Sequence, residues 1–203
     1  MIGMTMAAQM SRATLEQRVK NGEDLGRADL RRMDLSGAKL QNAKLGRADL
    51  EGAKLERADL SGADLSGASL LGARARYADF SQANLTDADA SRSDLRGARF
   101  SSATLIGGRF IAARLERAEL TRALCKRGRF ARAELRYADL SHADLSAADL
   151  SDADLRQARL HRIQDGAAVW SGADRRLSEP TDADLARAED FSPRAPYPPR
   201  PST

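Results

Sequence analysis

The sequence contains one cysteine, two histidines, one tryptophan and few aromatics, only 4% of 203 residues. A single thiol excludes an internal disulfide framework, and it leaves Cys125 as a packing residue. Two histidines, His142 and His161, are too few for a histidine-based metal centre, even with Asp139 nearby. No apolar run approaches the roughly 20 residues that a membrane-spanning helix needs. The start, MIGMTMAAQM, lacks a basic stretch before a long apolar one, so no secretory leader is expected and the reading is cytoplasmic. Neither charge dominates: 33 Lys and Arg oppose 29 Asp and Glu. That balance argues against a polyanion-binding protein and against a purely acidic one.

In place of these features stands a strict five-residue beat. Every fifth residue from Leu25 to Leu160, twenty-eight in succession, is Leu, Phe, Ala or Cys. The residue two before each beat is Ala, except at Glu23, Met33, Ser93, Gly108 and Gly128. A helix repeats its apolar face every 3.6 residues and a half-buried strand every 2, so neither fits. A unit of five residues buries too little alone and must stack on its neighbours, which makes the chain a solenoid. Segments such as GRADLEGAKLERADLSGADL place Ala and Leu inward and three polar residues outward.

These residues make the chain similar to the pentapeptide-repeat proteins, whose unit reads approximately A-(D/N)-L-x-x; the resemblance covers about residues 21–160. It implies an all-β solenoid, a right-handed quadrilateral β-helix with four pentapeptides per coil, hence about seven coils and a rod of about 34 Å at about 4.8 Å per layer. Phe80 then lies under Phe100 and Phe110 under Phe130, as stacked core rings. The expected organisation is a flexible start over 1–10, a capping helix over 11–22, the β-helix over 23–162, a C-terminal cap over 163–191 and a disordered Pro-rich tail over 192–203. Ser11 or Thr14 caps the helix, which plugs the rod and blocks end-to-end pairing. Trp170 closes the top of the core or makes a dimer contact there. Thr181–Asp190 fits either a short helix or one more repeat, and both readings stand.

A filled rod holds no cavity for catalysis, and no nucleophile, base and orienting acid converge, so no enzyme, cofactor or metal site is expected. Function is expected on the outside. The four sides are numbered by their first beats: side one at Leu25, two at Leu30, three at Leu35 and four at Leu40. Counting the residue before each beat and the two after it, side three carries nine basic and six acidic residues, and the other sides are nearly balanced. The best-known class within the resembled family consists of acidic rods that imitate DNA and occupy DNA gyrase. That mimicry is best served by a continuous negative face, which is lacking here, but a local acidic strip can suffice, so a DNA-mimicking inhibitor or protector of DNA gyrase stands as the second reading.

Two surface candidates remain. The first is the basic and aromatic face of side three: Arg57, Arg74, Arg76, Tyr77, Arg96, Arg114, Arg117, Arg136, Tyr137 and Arg156. Arginine beside tyrosine can hold phosphates and stack bases, but Glu56, Asp94, Glu116 and Glu134 interrupt the stripe and favour a salt-bridged or protein-binding face. The second is apolar: Ile106, Ile111 and Leu124 at outward phases near Gly107 and Gly108, with Leu71 on the side of Ile111. An apolar cluster there reads as a protein contact or as local corner packing. The chain is expected to be a non-catalytic bacterial scaffold or adaptor with a protein partner, as monomer or as dimer through its C-terminal end. The head, LEQRVKNGEDLGRADLRRMDLSGAKL, also resembles the starts of bacterial pentapeptide proteins encoded with secretion machinery such as type VI systems.

Overall fold

The computed structural model describes residues 10–180. The readings for residues 1–9, for Thr181–Asp190 and for the Pro-rich tail lie outside the described residues.

A parallel ladder links each outward residue before the beat with the one twenty positions later, from Asp24 with Lys44 to Arg159 with Glu179. Twenty residues therefore make one coil of four sides. The backbone accounts for itself locally: Leu25 N–H donates to Lys44 O, Arg27 to Gly46 O and Asp49 to Ala28 O, each at 2.9 Å. Each corner is a turn closed by an i→i+3 bond, as from Ala28 N to Leu25 O at 3.0 Å. Its third residue has positive φ, the signature of a type II turn. Among the described residues twenty-three such seats are held by residues other than glycine, Arg27, Arg57 and Tyr77 among them. The interlocked ladder overrides the left-handed penalty, which costs about 1–2 kcal/mol per residue in isolation.

The outward Asp or Asn of the unit starts the turn. Its Oδ1 accepts from the N–H two residues on, as at Asp64 from Ser66 (3.0 Å), Asn84 from Thr86 (3.1 Å) and Asp149 from Ser151 (3.0 Å). This is why the unit carries Asx at that position, and why pairs such as Asp144 and Asp149 are not a catalytic dyad.

The beat residues fill the rod without exposure from Leu30 to Leu155, each at 0 or 1%. Phe80 stacks on Phe100 and Phe110 on Phe130, with centroids 5.0 Å apart in both pairs. The two stacks stand on opposite sides and meet across the core, Phe100 edge-on to Phe110 at 6.2 Å and 87°. Cys125 is fully buried, and desolvation pushes its thiol up to about 12, which makes it a poor nucleophile.

The lower end is closed by helix α1, Arg12–Lys20. Ser11 caps it, its Oγ accepting from Thr14 N at 3.1 Å. Leu15 inserts into the core, and Arg12 donates to the carbonyls of Ser36 and Gly37 at 2.6 and 2.9 Å. Met33, the largest departure from the Ala position, packs partly buried against the core in this first coil.

The upper end differs from the expectation of a cap beginning at residue 163. Ladder pairs Asp144–Gln164, Asp149–Val169, Asp154–Asp174 and Arg159–Glu179 carry the coil on to residue 180, so the described rod has eight coils, not seven. Asp165, Arg175 and Pro180 occupy three of its beats, which hides the eighth coil from any apolar periodicity. Only Trp170 keeps a large apolar beat; it packs against the core with the Arg175 guanidinium 4.9 Å over its ring. The cap is itself a degenerate, polar coil, the usual way a solenoid ends.

Three carboxyls are held at about 2: Asp29 by Arg31, Asp34 by hydrogen bonds from Ser36 with Lys54 adding, and Asp174 by Arg176. A carboxyl depressed in the folded state adds stability above its unfolded value near 4 and loses it as pH falls toward 2. The melting temperature is therefore expected to stay level from pH 7 to 5 and to fall between about pH 4 and 2, as followed by circular dichroism. A decline already under way at pH 6 would contradict this source.

Candidate functional site

Side three is an ion-pair lattice that crosses coils. Asp94 receives Arg76 at 2.7 Å, Arg96 at 2.9 Å and Arg114 at 3.7 Å. Arg114 also reaches Glu134 at 3.5 Å. Asp154 receives Arg136 at 3.3 Å and Arg156 at 2.8 Å, and Arg156 extends to Asp174 at 3.6 Å. Burial, reinforced by the Glu134 carboxylate, pushes the Glu116 carboxyl up, and its Oε2 is buried without a hydrogen-bond partner. The arginines expected to form a basic stripe are thus mostly neutralised in place. Exposed pairs of this kind are worth about 0–1 kcal/mol each, so the lattice fixes orientation more than it stabilises.

Arg57, Arg74 and Arg117 are the exceptions, exposed and without an ion pair among the described residues. One coil above Arg57, and in the same coil as Arg74, stands Tyr77, 63% exposed, whose ring lies where a Cβ at Gly97 would come within 2.6 Å. Tyr137 is 50% exposed, with the Arg117 guanidinium 5.7 Å over its ring. Two exposed aromatics flanked by free or ring-bound guanidinium groups are the most adhesive features of this face.

The apolar candidate divides. Leu124 is 42% exposed, while Ile106, Ile111 and Leu71 are half-buried at their corners. Ile106 and Ile111 sit in the fifth coil and Leu71 two coils below Ile111, so the four do not share one face. On side four the histidine rings meet edge-on at 5.3 Å, and His161 is only 7% exposed. Among the described residues no three His, Cys, Asp or Glu side chains converge as metal ligands. The signal missed in the sequence is the pairing between coils, since Lys126–Asp144 (3.2 Å) and Arg99–Glu119 (3.4 Å) join residues eighteen and twenty apart.

The repeat model for pentapeptide repeats matches eight copies, over residues 8–52, 34–72, 43–82, 63–101 and 125–162, together more than half of the chain. The chain belongs to the pentapeptide-repeat family. No curated protein matches this pentapeptide-repeat chain. Solved pentapeptide-repeat structures do. HetL from the cyanobacterium Nostoc sp. strain PCC 7120, involved in heterocyst differentiation regulation, is 29% identical over 75% of this chain and 74% of its own, with a TM-score of 0.39. QnrB1, a plasmid-mediated fluoroquinolone resistance protein, is 26% identical over 69% of each chain, with a TM-score of 0.43. A thylakoid-lumen protein from Arabidopsis thaliana is 29% identical over 55% of this chain and 69% of its own, with a TM-score of 0.24. No helix among the described residues of the pentapeptide-repeat chain is long and apolar enough to cross a membrane.

Proposed function

We propose that this pentapeptide-repeat protein is a non-catalytic binding rod that holds another protein against side three. The supporting observation is the exposed Tyr77 beside the unpaired Arg57 and Arg74, on a face most of whose other arginines are held in ion pairs. A filled core leaves the outside of the described rod as its working surface. Tyrosine and arginine supply large contact area and directed hydrogen bonds, which is the composition of energetic centres in protein interfaces. The head sequence, similar to those of secretion-associated pentapeptide proteins, makes a secretion-system effector the partner class to test first. The gyrase-mimic reading gains nothing from the charges, because Asp79, Asp94, Asp139 and Asp154 are each engaged by arginine.

The test is capture from a lysate of the native host on the immobilised full chain, with and without nuclease. A protein retained equally in both, and reduced at least tenfold by Tyr77→Asn with Arg74→Glu, is the expected result. Retention that nuclease abolishes would instead make the face a nucleic-acid site.

A further inference from the structure

The five-residue beat conceals a longer repeat of sixty. KLERADL at 54–60 returns as RLERAEL at 114–120, RYADFSQANL at 76–85 as RYADLSHADL at 136–145, and DLRGAR at 94–99 as DLRQAR at 154–159. The unit accounts for the Ala, the Leu and the Asp before the beat, since those serve the core and the turn. It does not account for Glu56 and Glu116, for Arg57 and Arg117, or for Tyr77 and Tyr137, which occupy outward turn positions open to many residues. With twenty residues per coil, sixty is three coils, so each copy lies directly above its counterpart on the same side.

The likeness is densest on side three, where Glu56, Arg57, Arg76, Tyr77, Asp94 and Arg96 all recur. On the other sides the same sixty-residue step takes Asp64 to Leu124, Ser66 to Lys126, Gly67 to Arg127, Gly62 to Arg122 and Gln82 to His142, and it keeps mainly the Asp and Ser of the turn, as at Asp79, Ser81, Asp89 and Ser91. A duplication copies all four sides at once, so identity that persists at the outward turn positions of one side and is lost at those of the others marks the surface with a shared task.

The contacts repeat as well. Arg76 and Arg96 grip Asp94 at 2.7 and 2.9 Å, as Arg136 and Arg156 grip Asp154 at 3.3 and 2.8 Å. Arg99 spans Asp79 and Glu119 at 3.4 Å each, as Arg159 spans Asp139 and Glu179 at 3.5 and 3.3 Å. Each frame holds up one exposed tyrosine, with one exposed arginine a coil beneath it on the same edge.

The geometry points to a duplicated docking site on the edge between sides three and four: two equivalent epitopes, Arg57–Tyr77 and Arg117–Tyr137, about 14 Å apart along the rod at about 4.8 Å per layer, for an acidic protein segment lying along the axis and touching both. The occupant follows from the charges. The free guanidinium of Arg57 and the ring-bound one of Arg117, three layers apart, each offer a partner to a single carboxylate placed at that spacing, whereas a continuous polyphosphate would also have to lie against Glu56 and Glu116 beside them. An extended peptide covers that spacing in about four residues, at about 3.4 Å each. The inference rests on the reading of side three as a protein-binding face and adds its valence.

Three fluorescein-labelled probes test it by anisotropy on the full chain: a peptide with one Glu-Trp-Glu element, a tandem peptide with two such elements whose Trp residues are four apart, and an oligothymidylate of the tandem's charge. The variants are Tyr77→Asn and Tyr137→Asn, because both positions have φ near 60° and asparagine tolerates that conformation. An unchanged melting temperature certifies their fold. The tandem peptide is expected to bind at least tenfold tighter than the single element, through the effective concentration of the second contact. Each variant alone is expected to return it to the single-element level. A tandem no tighter than the single element, or a loss confined to one variant, overturns the duplication while leaving a protein-binding face in place. No peptide binding overturns the proposal, and oligothymidylate binding in its stead overturns the protein-binding reading with it.

Discussion

Replacing Phe100 with alanine is expected to destabilise the rod by about 4 kcal/mol, at the upper end of large-to-small core substitutions. The position is unusual in joining two stacks: Phe100 lies parallel to Phe80 at 5.0 Å and edge-on to Phe110 at 6.2 Å, so truncation opens a hole at the junction of four rings. The layers above and below are pinned by ladder bonds such as Phe100 N to Glu119 O at 2.7 Å, which limits collapse into the hole. Phe80→Ala, which loses only the parallel partner, is expected to cost less. Because each coil touches only its neighbours, the loss should appear first as accelerated amide exchange near residues 80–130, and then in the denaturant midpoint. A loss under about 1.5 kcal/mol for Phe100→Ala would mean that the rings do not form one continuous core.

Gly128→Ala is expected to destabilise by about 1–3 kcal/mol, although it restores the residue found at nearly every other equivalent position. An ordinary Gly→Ala change stabilises by restricting the unfolded chain. Here the added Cβ would stand 2.7 Å from Phe130 Cε2 and 2.9 Å from Cys125 O, the carbonyl that accepts the Gly128 N–H. Gly108 repeats the arrangement one coil below, 3.0 Å from Phe110 Cε2. The phenylalanines of side two turn their rings toward their own Ala seat, which therefore stays empty. Those of side four, perpendicular to them, leave room for Ala78 and Ala98. The double variant Gly128→Ala with Phe130→Leu is expected to recover most of the loss, giving a favourable coupling in the double-mutant cycle. A neutral or stabilising Gly128→Ala would show that the ring is free to move aside.

These two sites also mark where the sequence stops being informative. The beat yields a solenoid and its inward residues, because apolar periodicity is a direct consequence of what must be buried; the coil of four units, and with it the stacked phenylalanines, comes from the resemblance to the pentapeptide-repeat family. The perpendicular meeting of the two stacks is not written in the period, so Gly108 and Gly128 look like mere exceptions until the ring planes are seen. The eighth coil is invisible for the opposite reason: Asp165, Arg175 and Pro180 carry no apolar signal, yet the backbone of the seventh coil still offers them hydrogen bonds, as from Leu145 N to Gln164 O at 2.6 Å. On the surface, counting charges per side correctly finds no acidic face. It could not reveal that Asp94 gathers three arginines while Arg57 and Arg74 stay free, since that depends on which side chains reach across a layer. The apolar candidate fails to assemble because Ile106 and Ile111 occupy separate corners, only one of whose neighbours, Leu124, stands clear.

The working surface proposed above is the mixed, tyrosine-bearing side three; the competing proposal is an acidic imitation of a duplex. A supercoiling assay with purified DNA gyrase and the full chain decides between them most directly. Unchanged supercoiling at a large molar excess of the protein, and unchanged fluoroquinolone poisoning, is the result predicted by paired and interrupted acids. Inhibition or protection that disappears when Asp139, Asp144 and Asp149 are changed to asparagine would contradict it, by showing that a local acidic strip binds the enzyme.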